Sequence, residues 1–145
     1  MKIHLATDHA GLELKNSIKA HLLAKGYNVT DHGAHEYDAL DDYPDFIFPC
    51  ARAVASDPES RGIILGGSGQ GEAMAANRIK GVRAAVFYNG PKEIVKLSRG
   101  HNNANILSIG ARFMSEEEIH DVIELWFEEP FESGRHQRRI EKLDE

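Results

Sequence analysis

Apolar residues gather in five short runs, KIHLAT (2–7), YNVTDH (27–32), GIILGG (62–67), RAAVFY (83–88) and NILSIG (105–110). Their length and β-branched content predict strands. Between the first two, Leu14, Ile18 and Leu22 recur every fourth residue with Lys15 and Lys19 beside them, which is the spacing of a helix lying on a sheet. Ser115 and Glu118 form a capping-box pattern ahead of an apolar face of Ile119, Val122, Ile123, Trp126 and Phe127. Pro130 closes that helix. The segment SGRHQRRIEKLDE predicts one more short helix from about Gly134, too poor in apolar residues to pack by itself and therefore expected to lie across another surface. Strand-like and helix-like segments alternate, so the expected class is α/β with a parallel sheet, in one domain covering 1–145 with a tail at about 134–145.

In an open parallel sheet, ligands bind beyond the C-terminal ends of the strands. TDHAG follows the first run, GGSGQGE the third and GARFMS the fifth; these three are expected at one edge. RGHNNAN precedes the fifth run, and could approach that edge only through a longer loop or from a partner subunit.

Composition narrows the field. A chain of 145 residues, 41% hydrophobic, fills one core rather than two. The net charge of -6 argues against general nucleic-acid binding, which needs a surplus of Lys and Arg. A single cysteine, Cys50, excludes an internal disulfide and a cysteine zinc cluster, and suits a reducing compartment. No apolar stretch approaches the roughly 20 residues of a membrane span and the N-terminus lacks a secretory core, so no membrane partner and a cytoplasmic location are expected.

The loop Gly66–Glu72 carries the strongest chemical signal. It has Walker A glycine spacing, but Glu72 and Ala73 stand where Lys and Ser or Thr are required, and a carboxylate there would repel a triphosphate. The dinucleotide fingerprint also fails, since the first strand is followed by DHAG with one glycine. What remains is a strand-to-helix turn whose backbone amides can stabilise an anion next to a carboxylate. For a transient enolate oxygen that carboxylate would be the base; otherwise Glu72 is a helix-dipole partner worth about 0.3–1 kcal/mol.

Other polar groups fit around it. Asp8 is a helix cap, a ligand contact beside His9, or both. His101 has the pKa range of a proton donor near neutrality and sits among Asn102, Asn103 and Asn105 in a turn-forming segment. Arg135 and Arg139, four apart, share a helical face that suits a phosphate, or else pairs with Glu141 and Asp144 in solvent. His32 and His35 lack a zinc spacing, so no metal is expected there, and Cys50 is read as a small apolar residue on the helix after Tyr43-Pro44.

DHAG, DDYP, GGSGQGE, AANRIKGVRAA, HNNAN, IGAR and GRHQRRI occur in this order along nearly the whole chain, and the combination resembles the ribose-5-phosphate isomerase B family, which also includes galactose-6-phosphate isomerase subunits. The resemblance implies a Rossmann-like three-layer α/β/α fold with a five-stranded parallel sheet. It implies a homodimer or dimer of dimers with active sites shared between subunits, and no cofactor, metal or nucleotide. The implied reaction is interconversion of ribose 5-phosphate and ribulose 5-phosphate through a cis-enediolate, in the non-oxidative pentose phosphate pathway. A six-carbon sugar phosphate is the alternative substrate, and a non-catalytic sugar-phosphate-binding module the alternative from another class.

On the same resemblance, Glu72 is the general base, because Gly66 stands where many members carry a catalytic cysteine. Gly67, Ser68, Gly69, Gln70 and Gly71 form the oxyanion loop, with Ser68 adding a hydroxyl. His101 donates the proton that opens the furanose ring and Asp8 takes or relays the one from the anomeric hydroxyl. His9 and Asn102 touch substrate. Arg135 and Arg139, with Arg112, clamp the phosphate, Tyr43 borders the pocket, and the tail reaches a neighbouring subunit.

Overall fold

The computed structural model describes residues 1–145. Five strands, β1 (Lys2–Thr7), β2 (Asn28–Asp31), β3 (Arg61–Gly66), β4 (Ala84–Phe87) and β5 (Ile106–Gly110), form one sheet in the order β2-β1-β3-β5-β4. Every pairing is parallel. Six helices connect or follow them: α1 (Leu12–Ala24), α2 (Pro44–Ser56), α3 (Gln70–Ala76), α4 (Glu93–Gly100), α5 (Glu116–Glu128) and α6 (Arg135–Glu141). All five expected strands are present, each within a residue or two of its predicted limits. The long apolar segments are helical as expected.

Alternation along the strands divides the core. Ile3, Leu5, Ile63, Leu65, Leu107 and Ile109 face one layer, where Ile18 and Leu22 of α1 and Ile119, Val122, Ile123 and Trp126 of α5 pack on them. Ala6, Ile64 and Ile106 face the other, against Ile47, Cys50, Ala51 and Val54 of α2 and Ala75 and Ala76 of α3. The architecture is therefore three-layered. At about 25 cal/mol per Å² of apolar surface removed from water, these two faces supply most of the drive to fold. Cys50 is wholly buried, and burial pushes its thiol far above the usual range. The capping box is formed in full: the Ser115 hydroxyl accepts from Glu118 N at 3.2 Å, and Glu118 Oε2 accepts from Ser115 N at 3.2 Å.

Lys15 stands beside the apolar stripe of α1 and is completely buried, unusual for a lysine. Its Nζ donates to both carboxylate oxygens of Asp31, at 2.7 and 2.8 Å, and to the Ala34 carbonyl at 2.5 Å. A buried ammonium persists only when its protons are taken up in this way. The pair pins the end of β2 to α1, at the same edge of the sheet as the candidate site.

The connections fix where that site lies. The chain leaves β1 into α1 on one layer and β3 into α3 on the other, so the loops after these neighbouring strands part and leave a crevice at the switch point.

Candidate active site

Register sets the first layer of the crevice. Thr7 lies opposite Leu65 and Gly66 opposite Gly110, so Asp8, Gly67 and Ala111 leave the sheet side by side. Asp8 is the cap expected: Oδ1 accepts from Ala10 N at 2.9 Å, ahead of a 3₁₀ turn at His9–Gly11 that leads into α1. It is only 9% exposed. The cap bond engages Oδ1 alone, so capping and ligand contact are compatible.

The loop between β3 and α3 is held from below and open above. Gly69 has φ +80°, a left-handed conformation that costs other residues about 1 kcal/mol or more. A Cβ there would also lie 3.0 Å from the Ile109 carbonyl carbon. Ser108 Oγ donates to Gly69 O at 2.5 Å and Arg112 N to Gly67 O at 3.1 Å, which turns these carbonyls toward the sheet. The N–H groups of Gly67, Ser68, Gly69 and Gly71 donate to no acceptor within the chain. Unpaired donors in a fixed loop are what a developing oxyanion requires. Ser68 Oγ sits among them and accepts, at 3.4 Å, from the N–H of Gln70, whose side chain is exposed.

Glu72 lies in the first turn of α3, but its side chain folds back beneath the loop and is 6% exposed. Burial, reinforced by the nearby charge of Asp8, raises its carboxyl above the usual range. A hydrogen bond from its own backbone works in the opposite direction and is outweighed. The carboxylate occupies the space that a side chain at position 66 would need: a Cβ added to Gly66 would overlap Oε1, Cδ and Oε2. Gly66 is therefore glycine because of Glu72. Gly66→Ala is expected to lower kcat about 10²-fold by displacing the carboxylate, the usual penalty for roughly 1 Å of misplacement; a kcat within a factor of two or so of wild type would contradict this.

Arg112 and Tyr43 complete this edge. The Arg112 guanidinium covers Gly67, with Nη1 3.0 Å from where a Cβ would stand, and the Tyr43 hydroxyl covers Gly71 at 2.7 Å by the same measure. His9 has a partner that sequence reasoning missed. Asp41 Oδ1 lies 2.6 Å from His9 Nδ1 and accepts from His9 N at 3.2 Å. That hydrogen bond, with help from the charges of Asp8 and Asp41, raises the His9 pKa against desolvation and Arg112. It fixes the ring through Nδ1 and leaves Nε2 without a hydrogen-bond partner in the chain. DDYP marked the right segment, yet 32 residues separate His9 from Asp41 and no periodicity links them.

The remaining predicted residues lie elsewhere. His101 caps the C-terminus of α4, and Asn102 follows it, ahead of β5 and so at the opposite edge of the sheet. Its ring stacks on His136 of α6 at 4.2 Å between centroids and 13° between planes, and Nε2 is 3.3 Å from Glu132 Oε2. His101, Asn102, His136, Arg139, Ile140 and Leu143 line a shallow hollow of about 210 Å³. Arg135 opens α6 and, like Arg139, is exposed. The tail thus lies across the α4–β5 turn, tied down further by Gly81 N donating to Asp144 Oδ2 at 3.0 Å. Neither arginine is ion-paired; Glu141 instead accepts from Gln137 and Asp144 from Gly81. With strands of five or six residues at about 3.3 Å per residue, the two sets of side chains are on the order of 15–20 Å apart within one chain.

Comparison with known proteins matches this arrangement to one family. A family model described as Ribose/Galactose Isomerase matches residues 3–143. Ribose-5-phosphate isomerase B of Mycolicibacterium paratuberculosis is 44% identical over 146 residues, covering 100% of this chain and 91% of its own length. The crystal structure of ribose-5-phosphate isomerase B from Mycoplasma genitalium with bound ribulose-5-phosphate superposes with a TM-score of 0.93 at 43% identity, covering 98% of this chain and 93% of the other. The isomerase from Thermotoga maritima gives 0.92 at 40% identity, with 99% and 97% covered. The chain belongs to the ribose/galactose isomerase family.

Proposed function

We propose that the protein interconverts D-ribose 5-phosphate and D-ribulose 5-phosphate, with Glu72 carrying the proton between C2 and C1. The observation that carries this reading is the pairing of a buried, proton-hungry carboxylate with a loop of unpaired amides. Glu72 removes the C2 proton, the Gly67–Gly71 amides and the Ser68 hydroxyl hold the cis-enediolate oxygen, and the same carboxyl returns the proton to C1 while the proton of the C2 hydroxyl passes to O1, leaving the C2 carbonyl of the ketose. A base and preorganised donors contribute about 10²–10⁴ and 10²–10³ in rate respectively. The name and ligand of the relatives support the choice of substrate.

Ring opening and phosphate binding need groups from the other edge. We infer a homodimer, alone or paired into a dimer of dimers, in which the His101 turn and the tail of one subunit meet the crevice of the other. His101 then protonates the ring oxygen while Asp8 takes the anomeric proton, Asn102 and His9 contact the sugar phosphate, and Arg135, Arg139 and Arg112 hold its phosphate. Free, exposed guanidinium groups on one face of α6 support this role. No step calls for a metal or nucleotide.

The direct test is a coupled assay of the purified protein on ribose 5-phosphate and on the 6-phosphates of allose and galactose, with chelator present. Preference for the five-carbon substrate is expected; preference for a six-carbon one would redirect the assignment within the family. Arg135→Ala and Arg139→Ala should each raise KM about tenfold or more, the value of a charged hydrogen bond, with kcat much less affected. Unchanged KM in both variants would remove them from the phosphate site.

A further inference from the structure

The start of the sheet, the α2–β3 turn and the end of α4 border a feature that the proposed isomerisation does not use. Lys2, Arg61, Arg83, Arg99, Asn103 and Asn105 line a polar cavity of about 480 Å³ at the N-terminal edge of the strands. Three guanidinium groups converge in a chain whose net charge is -6, yet none of the ion pairs in the molecule involves an arginine. Their hydrogen bonds go to carbonyl and amide oxygens instead. Arg61 donates to the Trp126 and Phe127 carbonyls at 3.2 and 3.3 Å, and Arg83 Nε to the Asn103 carbonyl at 2.9 Å. Arg99, 7% exposed, donates through Nη1 to Asn103 Oδ1 and the Ala104 carbonyl, and its buried Nε has no acceptor at all.

Like charges held together without a counterion are costly, more so when one is buried. The strain is visible in Arg99, whose pKa falls to about 10 through burial and the fields of Arg61 and Arg83. Two carboxylates, Asp57 and Glu59, also line the cavity, but Asp57 is engaged in its own turn, accepting from Glu59 N at 3.1 Å. Four side-chain cations face two carboxylates, and no arginine is ion-paired; Asp144 acts on Arg83 from a distance without bonding to it. A planar fork with unspent donors is the standard partner of a phosphate oxygen.

We propose that this cavity is a second anion site, built for a phosphate dianion, either inorganic phosphate or the phosphate of a small ester. It is a binding site only, because it contains neither a buried base nor a loop of free amides. On the reading of His101 given above, its occupant also bears on catalysis, since Arg99 and Asn103 belong to the turn that carries His101 and Asn103 N donates to Arg99 O at 3.0 Å.

The protein's one tryptophan reports on this site directly. Trp126 lies under Arg61 at 5.3 Å and Arg99 at 6.0 Å, measured from guanidinium carbon to ring centroid. Inorganic phosphate, titrated at constant ionic strength, is expected to change Trp126 fluorescence saturably in the wild-type protein and equally in Arg135→Ala/Arg139→Ala, which lacks two of the three arginines of the proposed catalytic phosphate clamp. Lys2→Gln/Arg83→Gln leaves buried Arg99 in place and should weaken the response at least about tenfold. Ribose 5-phosphate, titrated into Arg135→Ala/Arg139→Ala, identifies the source: tighter binding than inorganic phosphate points to an ester, equal binding to free phosphate. An absent or non-saturable response, or one unaltered by Lys2→Gln/Arg83→Gln, would overturn the proposal. None of these outcomes depends on whether Glu72 is the catalytic base.

Discussion

Glu72→Gln is expected to lower kcat by about 10²–10⁴ while KM stays within a few-fold of wild type, since the amide keeps the shape of the carboxyl but cannot accept the C2 proton. Loss of fold will not be the cause. A carboxyl whose pKa is raised in the native state favours its neutral form there, so its contribution to stability is fully present below the unfolded pKa and is lost as pH rises through the folded one. Once ionised, the wild-type carboxylate bears the cost of its burial, and the glutamine variant does not. Its melting temperature should therefore equal or exceed that of the parent. The same shift sets the acid limb of kcat/KM, which should lie above the ordinary glutamate range of about 4.3 because the base must be ionised. Near-normal turnover of Glu72→Gln would end the assignment of Glu72 as base.

Mixing two crippled subunits should restore activity. If each site combines Glu72 of one protomer with His101 of the other, Glu72→Gln and His101→Gln homodimers are both inactive, because every site lacks one group. A heterodimer has one site lacking both and one lacking neither. Random pairing of equal amounts makes half of the dimers mixed, so activity should recover to about one quarter of the wild-type value per subunit. The subunits must be allowed to exchange, for example by refolding together. Recovery that fails although exchange is demonstrated would place both groups in a site made by one chain, across a separation the fold does not close.

Much of this was legible in the chain. Strands and helices followed from apolar spacing, and the edge where Asp8, Gly66–Glu72 and Arg112 meet followed from parallel topology. Strand order did not, because runs such as RAAVFY and NILSIG look alike whether central or at an edge; β4 proved to be an edge strand although β5 is last in sequence. Tertiary pairs were equally silent. Lys15 reads as a surface residue until Asp31 is brought to it, and Asp41 as loop chemistry until it meets His9. The Arg61, Arg83 and Arg99 cluster has no local signature, since the three lie in β3, just ahead of β4 and in α4, and only the sheet edge brings them together. What the glycine loop concealed was the direction of Glu72, which a helical-turn position alone would have pointed outward.

That direction has a consequence for how such a protein can change. Within the family resemblance, some chains carry a thiol at position 66, and here the Glu72 carboxylate fills that volume. On the role proposed for Glu72, a thiol at 66 and this carboxylate would compete for one space, so neither can be added before the other is withdrawn. A lineage moving from one to the other by single substitutions must cross a genotype that has both residues and a displaced base, or neither and no base. Positions 66 and 72 should therefore vary together among related chains, as one character with two states.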